Sequence, residues 1–345
     1  MKHWDFVIGN PAYQDEVQNK GDRPNPVYDK FLDEAFKISD VVEMITPARF
    51  LFNAGQTSKS WNHKMLSDKH LKVLYYTPNA AEVFSGINFE GGVAITLRNA
   101  KKQYGPIESF TPFEELNHIK DKVSQTSDKW LDSIVSSRGL YRFTETFFSD
   151  FPYAKERLGK GSGNMVVSNI FDLIPEAFSS SKIPDSIQMF GRLENRRVIK
   201  HIKAEYIIPN QYLDKYKVML PEGNGSSSIG KNGPTVVIGE PILCKPFQGG
   251  TDTFLSVGLF DTEYEAISLL KYIKTKFCRA LVGIKKVTQH NSKSVWVHVP
   301  LQDFTSASDI DWSCSITEID QQLYKKYGLT DEEIQFIETH VKEMN

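Results

Sequence analysis

The sequence predicts an α/β chain in which part of a doubly wound, Rossmann-like sheet is followed by an α+β block. Three observations carry this. Residues 1 to about 105 alternate short apolar runs rich in β-formers with segments of helical periodicity. No strand among them leads into the glycine-rich turn at a helix N-terminus that the nucleotide-holding half of such a sheet needs. From about residue 151, short β-segments separated by Gly, Ser, Asn and Pro turns take over. The predicted organisation is therefore an α/β domain over 1–105, a helical connector over 106–150, and an α+β domain with a helical tail over 151–345.

The first element is the strand Trp4-Asp5-Phe6-Val7-Ile8, which stops abruptly at Gly9-Asn10-Pro11. Gln14 to Pro26 is polar, with Gly21, Pro24 and Pro26, and reads as a loop over the strand end. Val27 to Ser39 has helical spacing, with Tyr28, Phe31, Leu32, Ala35 and Phe36 on one apolar face. Asp40 to Thr46 is a second strand, Ser58 to Leu66 a helix, Leu71 to Thr77 a third strand and Gly91 to Leu97 a fourth. Phe113 to Val135 is largely helical. Ile187–Lys203, Glu205–Pro209, Tyr216–Leu220, Thr235–Lys245 and Thr253–Phe260 are β-segments. Glu263 to Leu281 reads as one long helix, Lys285 to Val299 as a closing hairpin, and Ile319 to Glu343 as a helical tail.

Composition narrows the class. The chain has 345 residues and a formal net charge of −2, so any nucleic-acid surface must be a local patch. It holds no apolar run long enough for a membrane helix and no signal peptide, which predicts a cytoplasmic protein. Cys244, Cys278 and Cys314 lie far apart and form no Cys-x-x-Cys pair, so they read as reduced thiols rather than as disulfides or metal ligands. The run Gly159-Lys160-Gly161-Ser162-Gly163 follows a helical segment, Tyr153 to Leu158, and reads as a loop. Two basic clusters stand out. Arg192, Arg196, Arg197, Lys200 and Lys203 are broken only by Glu194. Between Ile267 and Gln302 come Lys271, Lys274, Lys276, Arg279, Lys285, Lys286 and Lys293, with no acid between them. Phosphate contacts would position such clusters on DNA, and Gln289, His290 and Asn291 would reach base edges.

The stretch Asp5-Phe6-Val7-Ile8-Gly9-Asn10-Pro11-Ala12-Tyr13 resembles the amine-activating motif IV of the adenine-N6 DNA methyltransferases of restriction–modification systems. The departure is Ala12, where a second proline is usual. Tyr28 to Ala35 resembles that family's motif V, Met44 to Leu51 its motif VI, and Val83-Phe84 followed by Gly91-Gly92-Val93 its motif VIII. The stretches Phe-Leu-Ser-Val-Gly … Lys-Thr-Lys-Phe-Cys-Arg-Ala-Leu and Tyr-Lys-Lys-Tyr-Gly-Leu-Thr-Asp-Glu-Glu-Ile-Gln-Phe-Ile-Glu resemble the C-terminal halves of large restriction–modification methyltransferases. A Pro-Cys dipeptide, the nucleophile of the cytosine-C5 enzymes, does not occur.

The resemblance implies a chemistry. The exocyclic amine of adenine is a poor nucleophile because its lone pair is delocalised into the ring. The Asn10 side-chain oxygen and the Pro11 carbonyl, held by the fixed φ of proline, would accept its two protons. Tyr13 would stack on a flipped base, and Phe84, with Phe89 as the fallback, would pack on it. The implied methyl donor is S-adenosylmethionine, with Tyr28 at the start of the segment that lines the cofactor pocket in related enzymes. The implied partner is double-stranded DNA, recognised by a target-recognition domain over 151–345. Because the glycine-rich motif is not found, the expectation is a truncated or split enzyme, with an upstream polypeptide supplying the donor-binding half and an open sheet edge where it would join. Two alternatives stay open: a DNA-binding or specificity module without catalysis of its own, and a methyltransferase acting on RNA or on protein glutamine.

Overall fold

The computed structural model describes residues 3–15, 24–53, 55–84, 91–159, 161–194, 196–223, 229–230, 233–286 and 290–344. The chain divides into two compact units, Met1–Glu114 and Glu115–Asn345.

The first unit is built on a four-stranded sheet in the order β1-β2-β4-β3. Its strands are β1 (Val7–Gly9), β2 (Val41–Pro47), β3 (Leu71–Thr77) and β4 (Val93–Asn99). β1 pairs parallel with β2, and β4 pairs antiparallel with both β2 and β3. Thus β1, β2 and β3 all run one way and β4 runs against them. The helix α1 (Tyr28–Ile38) joins β1 to β2, and α2 (Lys59–Ser67) joins β2 to β3. In β2 the residues alternate between half-buried and buried, as a strand packed harder on one face should. On α1, Tyr28, Leu32 and Ala35 are buried, which is the spacing of one helical face. The core joins these to Phe50, Leu51, Trp61 and Met65. Ser58 starts α2 by accepting a hydrogen bond from the Trp61 amide at 3.2 Å.

Because the three parallel strands end on the same side, the segments after Gly9, Pro47 and Thr77 gather there. So does the turn before β4, where Gly91 and Gly92 have φ of +91° and +73°. A Cβ on Gly92 would lie 2.0 Å from the Thr77 carbonyl oxygen, so only glycine lets this turn cross the end of β3. The Gly92 carbonyl in turn accepts a hydrogen bond from the Ala48 amide at 2.9 Å. On its outer side β1 pairs with no other strand among the described residues. Trp4, Phe6 and Ile8, two residues apart along the chain, are 51%, 48% and 69% exposed.

The boundary falls at the first residue of α3 (Glu114–Thr126), which is followed in the second unit by the short helices α4 (Glu145–Asp150), α5 (Ala154–Leu158) and α6 (Ile170–Leu173). Next come β5 (Ser186–Leu193) and β6 (Arg196–Lys203), an antiparallel hairpin, then β7 (Tyr216–Pro221), β8 (Ile242–Cys244), β9 (Gln248–Gly250) and β10 (Phe254–Phe260). They form two three-stranded sheets, β6-β5-β9 and β10-β7-β8. One core cluster packs Tyr141, Phe143, Phe147, Ile170 and Phe171 under Ile187, Met189 and Ile202 of the hairpin. The chain ends in α7 (Glu263–Lys274), α8 (Lys276–Lys285), α9 (Ile316–Lys326) and α10 (Asp331–His340). The last two helices each start at a capping box, Ser315 with Glu318 and Thr330 with Glu333. Cys244 and Cys278 are buried and Cys314 half-buried, all as free thiols.

Several sequence expectations need correction. The long helix over Glu263–Leu281 is two helices, because Thr275 leaves helical geometry and its hydroxyl accepts from the Cys278 amide at 3.1 Å. Among the described residues of Lys285–Val299 there is no closing hairpin: α8 runs on to Lys285, and Lys293–Trp296 is a turn of 3₁₀ helix. Of Thr235–Lys245 only Ile242–Cys244 is a strand, and Glu205–Pro209 gives way to a 3₁₀ turn at Ala204–Tyr206. The first unit is α/β as predicted, with a mixed sheet. Most of the loop over Gln14–Pro26 lies outside the described residues, as do Phe89, Lys160 and the turn at Asn224–Ser228. No helix among the described residues is long and apolar enough to cross a membrane.

Candidate active site

The strand end of β1 delivers Asn10 and Pro11 to the side of the sheet where the other loops gather. Asn10 is exposed, and its side-chain amide makes no hydrogen bond among the described residues. Three residues on, Tyr13 is half-buried. It is anchored by its backbone: its carbonyl accepts from the Val27 amide at 3.1 Å, and Asp15 donates to the Asn25 carbonyl at 2.9 Å. These bonds tie the segment after β1 to the start of α1. Phe84, from the segment after β3, meets the Tyr13 ring edge-on, with centroids 6.4 Å apart and planes at 68°. The structure thus brings together two aromatic residues that are 71 positions apart in the sequence.

Beside them lies a pocket of about 130 Å³ lined by Tyr13, Pro26, Tyr28, Pro47, Arg49 and Gln56. Tyr28 is buried and packs edge-on against Trp61 at 6.0 Å. Burial pushes its phenol up to about 12, against the pull of Thr57 and Arg49 in the other direction. Tyr13 is also pushed up to about 12 by burial. Both phenols are therefore protonated at neutral pH and act as aromatic surfaces and hydrogen-bond donors, not as bases. Behind Tyr28, the Thr57 hydroxyl donates to the buried Asn62 side-chain oxygen at 2.7 Å, and Asn62 donates to Asn53 at 3.3 Å.

The sequence alone does not mark Arg49 as a site residue. Its signal is the glycine pair before β4. A Cβ on Gly91 would lie 2.5 Å from the Arg49 Cγ, and one on Gly55 would lie 3.1 Å from its Cβ. Glycines on either side of one arginine stem leave it room at the pocket wall.

The pocket is too small for the whole of S-adenosylmethionine, since ligands of that size occupy roughly 300–1,000 Å³. Tyr28 could meet only one edge of such a donor. The segment Gly159–Gly163 follows helix α5, not a strand, and so lacks the strand-to-turn geometry of a nucleotide site. The pocket at Tyr13 and Tyr28 does not by itself fit that cofactor.

The basic clusters divide. In the β5–β6 hairpin, Arg192, Arg196 and Arg197 are exposed, while Lys200 is half-buried and donates to the Ser180 hydroxyl at 2.6 Å. The second cluster needs correction. Lys286 and Asn291 are fully buried, so neither side chain can meet a phosphate or a base edge. Burial also lowers the Lys286 amine to about 8. The Lys274 ammonium pairs with Glu240 at 2.6 Å and is only 14% exposed. Lys271 caps the carbonyls of Trp312, Ser313 and Cys314, and Lys276 pairs with Glu338. Arg279 is fully buried, bonded to the carbonyls of Lys274, Thr275, Val236 and Lys342. The acids missing from this stretch of sequence come from elsewhere in the fold. Lys285 and Lys293 remain exposed, His290 contacts Glu222 at 3.3 Å, and Gln289 lies outside the described residues.

Residues 1–84, which hold the strand end, Tyr13, Tyr28, Arg49 and Phe84, match the family model described as Eco57I restriction-modification methylase. No curated protein matches the chain. Among solved structures, the type IIG restriction endonuclease BpuSI is similar at a TM-score of 0.30 and 11% identity, over 85% of this chain and 44% of that one. The chain thus spans less than half of that protein's length.

Proposed function

We propose that this chain carries the amine-activating loop and the DNA-recognition part of an adenine-N6 DNA methyltransferase of a restriction–modification system. The observation that carries the reading is the constellation at the carboxyl ends of the parallel strands, where open α/β sheets bind ligands. There, Asn10 with no side-chain hydrogen bond among the described residues, Tyr13 and Phe84 packed edge-on, and the pocket at Tyr28 and Arg49 all come from the segment that matches the methylase family.

The residues divide the work. The Asn10 oxygen and the Pro11 carbonyl accept the two protons of the exocyclic amine and so localise its lone pair. Tyr13 and Phe84 hold the flipped base by its faces and edge. A pocket of about 130 Å³ suits one planar ring and excludes a nucleotide pair. No covalent nucleophile takes part: Tyr13 and Tyr28 stay protonated, and the buried Cys244 and Cys278 lie in the other unit. S-adenosylmethionine, the donor that the methylase family implies, would supply the methyl group and would be held chiefly outside the described residues. The outer edge of β1, unpaired among those residues and flanked by exposed Trp4, Phe6 and Ile8, supports a sheet that continues past β1. The second unit supplies duplex DNA recognition.

Deleting the gene in its host and mapping modified bases genome-wide tests the reading. One N6-methyladenine motif should vanish and return when the gene is restored. An unchanged adenine methylation pattern, or the loss of a cytosine modification instead, overturns it.

A further inference from the structure

We propose that the tip of the β5–β6 hairpin is a β-ribbon that enters the major groove of duplex DNA and reads guanine with Arg192, Arg196 and Arg197. This rests on the DNA-directed reading above and deepens it by naming the reading element, the groove and a base.

The register places Arg192 directly opposite Arg197, and Leu193 opposite Arg196. Side chains of a directly opposed pair project from the same face, so Arg192 and Arg197 share one face and Arg196 projects from the other. Like charges opposed across a hairpin cost stability. All three arginines are exposed, and none pairs with a carboxylate among the described residues. The basic residues nearer the root are different. Lys200 bonds to Ser180, and Lys203 pairs with Glu205 at 3.2 Å. Among the described residues of the hairpin, the tip arginines are the basic side chains that meet no carboxylate or hydroxyl. A local rule broken without an internal compensation marks a surface shaped for something outside the chain.

The edges of the tip are also unpaired. The third strand, β9, reaches only Gln188–Phe190 on β5, and on the other side Ser179 bridges β6 at His201. Past these contacts the hairpin has two strands and open edges among the described residues. Gly191 is buried and Leu193 packs on the core, so what stands exposed is the end of the hairpin that carries Arg192, Arg196 and Arg197, and a major groove ~12 Å wide admits such a two-stranded ribbon. The root is rigid. A Cβ on Gly191 would lie 2.5 Å from the Phe171 ring, so the strand sits directly on the core there. The Arg197 guanidinium lies over the Phe254 ring, 5.9 Å from its centroid. Glu194 takes a φ of 48° to turn the chain at the tip. The forked guanidinium matches O6 and N7 of guanine with two bonds, which the point charge of lysine does not.

The test uses the full chain and a random-sequence duplex library. Wild type should select a motif that contains guanine. Arg192→Ala and Arg196→Ala, at exposed positions, should keep the far-ultraviolet circular dichroism of wild type. Each should lose preference at one position, with roughly tenfold weaker binding to the selected site and little change for unrelated duplex. Replacing the guanine read by Arg192 with 7-deazaguanine removes the major-groove N7 acceptor. It should weaken wild type and leave Arg192→Ala indifferent. If the variants weaken all sequences equally with the motif intact, or if 7-deazaguanine has no effect on wild type, the arginines touch phosphates only and the ribbon proposal falls. Equal affinity for single strands and duplex also overturns it. Failure of wild type to bind any DNA overturns the functional reading itself, whereas a selected motif that ignores the tip arginines overturns the ribbon alone.

Discussion

Asn10 occupies an exposed position at a strand end, and its amide makes no hydrogen bond among the described residues, whereas the residues around it are tied down: Tyr13 by the Val27 amide, Tyr28 by burial against Trp61. An acceptor held at a fixed backbone position, with no hydrogen-bond partner among the described residues, is preorganised for an outside donor. In the complete enzyme, Asn10→Ala should therefore lower methyl transfer by ~10² or more while leaving DNA affinity unchanged. Single-turnover transfer of a radiolabelled methyl group, beside anisotropy on the same duplex, separates the two quantities. Turnover near wild type would remove Asn10 from the chemistry. The strand end and its Asn-Pro were legible in the sequence because they are contiguous. The placement of Arg49 was not, because it depends on Gly55 and Gly91 approaching from two other loops.

Elements with local signals matched their boundaries closely. The third strand was predicted over the residues it occupies, Leu71 to Thr77, between the turn at Asp68–His70 and Pro78. What the sequence hid was set by partners distant in the chain. Glu240, Glu338 and Asp320 reach the basic run of α7 and α8 from other elements and turn an apparent DNA surface into structure. The break between those helices was hidden for a different reason: a threonine inside a helical pattern acts as a cap only when the chain turns there. At the turn before β4, Gly92→Ala should destabilise the first unit by more than about 1–3 kcal/mol, since it adds a backbone clash to an unfavourable φ. Thermal unfolding should show the loss, and a Gly161→Ala control, with open space around the new methyl, should not. A second element-scale effect involves the segment after the Lys293–Trp296 turn. Burial, aided by Lys285 and Lys120, lowers His298 from its usual 6.5 to about 4. The unfolded chain takes up this proton below about 6.5 and the folded chain only near 4. Stability contributed by the neutral ring is thus present above 6.5 and lost as pH falls toward 4. Denaturant midpoints across that window should fall less steeply for His298→Gln, and an unchanged slope would show that this ring does not drive the loss.

At the scale of the whole molecule, the chain divides into two compact units, and the pocket at Tyr13 and Tyr28, about 130 Å³, is too small for a complete methyl donor. Calorimetry of residues 1–345 with S-adenosylmethionine should show no specific heat of binding. Micromolar affinity would place a donor site in this chain that the pocket at Tyr28 does not account for. The cysteines have a further consequence. Burial pushes Cys244 up to about 12 and Cys278 higher still, so at neutral pH roughly one Cys244 thiol in 10⁵ is the reactive thiolate while the fold is closed. Alkylation at these positions then becomes a clock for opening. Cys244 times the edge strand β8 and Cys278 times α8, each at the rate set by how often that part of the second unit comes apart. Timed iodoacetamide labelling read by peptide mass would rank the two openings in the unmodified protein, with the half-buried Cys314 reacting ahead of both.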